Sequence, residues 1–177
     1  MNLNATLEEK KNRILQRWIS LTVETYPADV VNFLKMEKDR FANPVGFAIS
    51  TGCEILFHEL TCEGNRSKII TALDSIIRIR TVQDFSPSQA VEFIYFLKKA
   101  VREELKINDE GAIKRTKPEI LEDLALFETR IDDLASLACK IYDKCREDIN
   151  RIKMKDKDSA ITIKNRLARV RIPKGEK

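Results

Sequence analysis

At 177 residues, 43% of them hydrophobic, the chain has the length and the apolar content for one sizeable core and too little for two. Charged residues reach 34%, which suits long helices with one wet face each, while only five glycines and five prolines argue against a turn-rich β-sandwich or barrel. No apolar run approaches the roughly 18 residues of a membrane span, and the net charge of +4 is too small to identify a partner by itself.

The start, Met1-Asn2-Leu3-Asn4-Ala5, lacks a basic stretch followed by an apolar one, so a cytoplasmic protein is expected. Thr6-Leu7-Glu8-Glu9 fits a capping box, in which a hydroxyl and a carboxylate satisfy N–H groups that a first helical turn leaves unpaired. The helix it predicts carries Leu7, Ile14, Leu15, Trp18 and Leu21 on one face and ends near Tyr26, ahead of Pro27. A short second helix follows through Val30, Val31, Phe33 and Leu34. Asn43-Pro44 marks a third start, with an Asn cap and a proline where no N–H is missed. A fourth helix begins after Asn65. Its many β-branched residues make a buried strand the competing reading, but Asp74, Arg78 and Asp84 fit a helix better. Asp74 with Arg78, and Arg80 with Asp84, are expected to form i,i+4 ion pairs. Ser86-Pro87-Ser88-Gln89 is a second capping box and launches a fifth helix, which Asn108-Asp109-Glu110-Gly111 interrupts.

Thr116-Lys117-Pro118-Glu119 resembles another box and opens the last helix. There Ile120, Leu124, Phe127, Ile131, Leu134, Ala138, Ile141 and Cys145 alternate steps of four and three. Such a stripe predicts a bundle helix or a coiled-coil seam, about 54 Å long if it reaches Met154. The closing stretch Arg171–Lys177 is expected to be loosely ordered. Residues 144–177 hold 12 basic and 5 acidic side chains, so the tail is basic and the remainder mildly acidic. The composite expectation is an all-α, compact domain of about six helices over residues 1–145, followed by a basic C-terminal extension at 146–177.

A search for chemistry finds little. Phosphate-binding glycine loops, nucleophile elbows and two-histidine metal motifs are all missing. The four cysteines, Cys53, Cys62, Cys139 and Cys145, have no C-x-x-C spacing, and His58 is the sole histidine. The simplest reading makes them small hydrophobes in a reducing compartment, and the alternative makes them a thiol-based redox switch. Cys139 and Cys145 are too far apart along one helix, at about 9 Å, for a bond within it. His58 stands one turn before Cys62, so an imidazole–thiol pair is geometrically allowed, although an exposed histidine near a helix end is the plainer account. Haem would require His58 as proximal ligand; its surroundings permit this without suggesting it, and no cofactor, metal or catalytic residue is expected. The basic tail has no aromatic residue beyond Tyr142, which disfavours nucleic acid. Attachment to an anionic membrane surface is a weaker alternative to a protein partner.

Two longer stretches resemble a known family: Asp39-Arg40-Phe41-Ala42-Asn43-Pro44-Val45-Gly46 and Ile77-Arg78-Ile79-Arg80-Thr81-Val82-Gln83-Asp84-Phe85-Ser86-Pro87-Ser88-Gln89-Ala90. With Arg13–Trp18, Glu24–Pro27 and Phe93–Lys98, they are similar to the RsbRD N-terminal domain family over about residues 10–145. The resemblance implies a bacterial sensory input module of the stressosome kind, with a non-haem, globin-like, dimeric fold. It transfers no catalytic residue. Physically, Asn43, Pro44, Ser86, Pro87 and Gln89 read as helix starts, and Trp18, Phe41 and Phe85 as core anchors. No STAS domain fits after Cys145. The expected function is therefore that of a stand-alone regulatory domain, a homodimer acting on a protein partner and not an enzyme. A redox switch and a haem- or ligand-binding sensor are the alternatives.

Overall fold

The computed structural model describes residues 3–37, 39–62, 64–107 and 109–169, with the side chains of 115 and 163–169 outside that description. Eight helices and no strand occur among the described residues. They are α1 (Leu3–Glu9), α2 (Lys11–Val23), α3 (Ala28–Met36), α4 (Pro44–Thr61), α5 (Arg66–Val82), α6 (Pro87–Leu105), α7 (Glu110–Arg115) and α8 (Pro118–Arg169). The all-α expectation holds, and the strand alternative for the Arg66–Val82 segment falls away. Two compact units divide the chain, Met1–Tyr142 and Asp143–Lys177; the second is helical as far as it is described. Residues Arg171–Lys177, expected to be loosely ordered, lie outside the described residues.

In the first unit α2 packs against α4 and α6, and α5 packs against α4 and α6. Trp18 sits fully buried at the centre, stacked at 6.4 Å on Phe93 and donating its indole N–H to the Phe93 carbonyl at 2.6 Å. A polar tip on so large an apolar side chain needs such a partner once water is excluded. The regular stripe of the last helix is consumed here: Leu124, Phe127, Ile131, Leu134 and Ala138 all join this core. Between residues 118 and 142 the stripe is therefore a bundle face and not a free seam. Ion pairs run alongside it from α6 to α8, Arg102 to Glu128 at 2.6 Å and Lys98 to Asp132 at 2.6 Å. Arg17 on α2 binds Glu103 on α6 through two bonds, at 2.6 and 3.2 Å.

The helix count exceeds six for two local reasons. The predicted first helix is broken at Lys10, and α1 begins at Leu3, so Thr6 lies inside a helix and not at its start. Leu3 and Leu7 are both buried, and one more turn of apolar contact outweighs a cap worth about 1 kcal/mol. The stretch read as an interruption contains α7, capped by the Asp109 carboxylate accepting from the Ala112 N–H at 2.7 Å. Thr116 consequently belongs to the end of α7, donating its hydroxyl to the Ala112 carbonyl at 2.8 Å, and does not start α8.

Candidate functional site

The two family-like stretches fold into two helix starts. Asn43 is 1% exposed and works in both directions. Its Oδ1 accepts from the Gly46 N–H at 2.8 Å, while its Nδ2 donates to the carbonyls of Leu34 at 3.1 Å and Glu37 at 3.0 Å. One side chain thus closes the end of α3 and opens α4, with Pro44 exposed at the first helical position. Gly46 is required by this closeness: a Cβ there would stand 2.2 Å from Asn43 Nδ2 and 2.7 Å from the Leu34 carbonyl oxygen. At α6 the Ser86 hydroxyl accepts from the Gln89 N–H and the Gln89 side chain accepts from the Ser86 N–H, with Pro87 at the first position. Phe85 packs partly buried on the core, tilted against Tyr26 at 5.2 Å, and its carbonyl accepts from the Tyr142 hydroxyl.

Phe41 departs from the expectation. Instead of anchoring the core it is 81% exposed, in the loop between α3 and α4. Around it Met36 is 79%, Phe33 48% and Phe47 44% exposed, and the Arg40 guanidinium lies 4.8 Å from the Phe41 ring and 6.0 Å from that of Phe47. Phe47 also lines a groove of about 730 Å³ with Leu15, Ile19, Leu34 and Gly46. Sequence reasoning missed this face because an aromatic between two polar motifs reads equally well as a core residue.

Arg80 is the second departure. The expected pair with Asp84 gives way because α5 stops at Val82 and Asp84 turns off it with φ 59°. Arg80 instead sends a fully buried guanidinium into the core. It donates to the Gln89 carbonyl at 2.7 Å, the Thr22 carbonyl at 3.3 Å and the Thr25 hydroxyl. Three rings surround it, Phe85 at 4.8 Å, Tyr26 at 5.4 Å and Phe93 at 5.5 Å. Arg80 Nε and the Tyr26 hydroxyl find no hydrogen-bond partner among the described residues. Burial pushes the Tyr26 hydroxyl above its ordinary range, and the nearby Arg80 cation partly opposes this. Asp74 and Arg78 do pair, at 2.9 and 3.1 Å, on the surface of α5.

The cysteines separate by environment. Cys53 and Cys145 are buried and Cys62 and Cys139 exposed, with no disulfide among the described residues. Burial drives the Cys53 thiol far above its ordinary range, against the pull of Arg80, which leaves it a core thiol with no accessible thiolate. Cys62 closes α4, its sulfur 3.8 Å from Nδ1 of His58. Among the described residues no group of three or more His, Cys, Asp or Glu side chains gathers as a metal site would require, and no helix is long and apolar enough to cross a membrane.

Compared with known proteins, residues 12–153 match the family model described as the RsbT co-antagonist protein rsbRD N-terminal domain. Neither a curated protein nor a solved structure gives a significant match.

Proposed function

The chain belongs to the RsbRD N-terminal domain family, and on that premise we propose that it is a regulatory input module that works by binding another protein and not by catalysis. The family supports a sensory or regulatory role related to the stressosome. The observation that carries the binding reading is the apolar face of Phe33, Met36, Phe41 and Phe47 in and around the α3–α4 loop. Exposed aromatic and methionine side chains gathered beside a groove mark contact surfaces more often than chance does. The fitting occupant is a partner protein with an apolar helical ridge and an acidic residue placed to meet Arg40, the cation at the centre of the face. The reading places the protein in the bacterial cytoplasm, where such partners reside.

Calorimetric titration of the purified chain against an RsbT protein and a STAS-domain scaffold protein tests this. Phe41→Ser with Met36→Ser serves as the altered face, and both positions are exposed enough for the fold to persist. Saturable binding weakened about tenfold or more by the double substitution is the expected result. Equal binding by the variant rules out this face. A lack of binding to either protein rejects the stressosome connection, and light scattering then distinguishes a monomer from a homodimer built on the same residues.

A further inference from the structure

At the turn between α4 and α5, Cys62 joins features that the docking reading does not use. Its thiol is exposed and lies 3.8 Å from the His58 imidazole. It lines an open groove of about 580 Å³, whose walls carry Arg66, Arg130 and Lys140. That volume is within the range of small-molecule sites. Among the described residues the groove has two carboxylates, Glu59 and Asp133. Glu59 is already engaged, accepting from the Asn65 N–H at 2.7 Å and pairing with Lys68 at 3.3 Å. Arg130 donates to the Leu60 carbonyl at 3.1 Å, and among the described residues none of the three groove cations forms an ion pair. An exposed sulfur with an imidazole 3.8 Å behind it therefore opens onto a groove whose walls carry three cations.

We propose that Cys62 is a site of thiol–disulfide exchange with small disulfides that carry carboxylates. The groove cations hold the anionic arms and His58 takes the thiol proton. With its own proton on Nε2, the imidazole accepts the Cys62 proton at Nδ1. The thiolate attacks one sulfur of the bound disulfide, the reagent's S–S bond breaks and a new one forms to Cys62. The departing thiolate recovers the proton from the imidazolium. One protein thiol and one small disulfide become one mixed disulfide and one small thiol, with no other oxidant. The proposal is independent of the docking reading, since the adduct forms whether or not the α3–α4 face binds a partner.

The exposed Cys139 on α8 is an internal control. The full chain is treated with glutathione disulfide, which is anionic, or with cystamine, which is cationic, and adducts are located by peptide mass mapping over time. Cys62 is expected to react with glutathione disulfide about tenfold faster than Cys139, the scale of a modest electrostatic enhancement. Its preference for the anionic reagent, relative to that of Cys139, is expected to vanish in Arg66→Gln with Lys140→Gln. His58→Gln is expected to slow Cys62 alone. Equal rates at the two cysteines, or an equal preference for cystamine in the unaltered chain, overturn the site. An unchanged rate in His58→Gln overturns the proton transfer.

Discussion

Arg80 is a cation held by neutral oxygens. Taking a guanidinium out of water costs several kcal/mol, and here the offset comes from charge-assisted bonds to Gln89, Thr22 and Thr25 and from the faces of Tyr26, Phe85 and Phe93. The contacts fall in two parts of the chain, so the side chain ties the end of α2 and the start of α6 to α5. Arg80→Ala removes the charge-assisted bonds to the Gln89 and Thr22 carbonyls and to the Thr25 hydroxyl and empties a core space, for an expected loss of about 3–5 kcal/mol in urea unfolding. Arg80→Met fills the space but replaces none of those bonds, for about 1–3 kcal/mol. An alanine variant as stable as the parent would show that these contacts merely offset their own desolvation.

Glu59 illustrates the opposite sign of charge. The Asn65 N–H, and after it Lys68, hold its carboxyl below the ordinary range against the opposing effect of burial. A carboxylate with a depressed folded-state pKa adds stability that is complete above its unfolded value, about 4.3, and is lost as pH falls through the folded value. The stability gap between the parent and Glu59→Gln is thus expected to be steady at neutral pH and to close on acidification below about pH 4. Denaturant midpoints measured from pH 7 to pH 3 check this, and a gap that widens in acid contradicts it.

At the scale of elements, the joint between α3 and α4 concentrates its stability in one side chain and one missing one. Asn43 satisfies both helix ends only because Gly46 lets the Leu34 carbonyl come close. Gly46→Ala is expected to cost about 1–3 kcal/mol, although alanine is the better helix former, because the clash is with a fixed cap and backbone. At α6 the reciprocal Ser86–Gln89 box is partly exposed, and Ser86→Ala is expected to cost about 1 kcal/mol. Thermal unfolding of both variants tests the order, glycine above serine. The reverse order would mean that the Asn43 cap relaxes readily. Both joints were legible in the sequence because the capping signal and the helix it starts are adjacent. Thr6 and Thr116 carried the same signal and were misread, because burial of Leu3 in one case and the presence of α7 in the other claimed those residues first.

For the molecule as a whole, the apolar core cluster and the side chains packed on it are drawn from Leu3 to Tyr142. A chain truncated to residues 1–142 is therefore expected to unfold in a single cooperative transition monitored by circular dichroism. A broad, non-cooperative melt would show that residues beyond 142 are needed to complete the fold.

The amino-acid sequence by itself determined the helical class, the starts of α3 to α6 and the family, since caps, prolines and three-four periodicity act within a few residues. Tertiary structure alone decided that Arg80 turns inward, that Phe41 turns outward and that the stripe of α8 fills its own core. Those outcomes depend on which distant surface reaches a side chain before water does, and no local pattern records that competition.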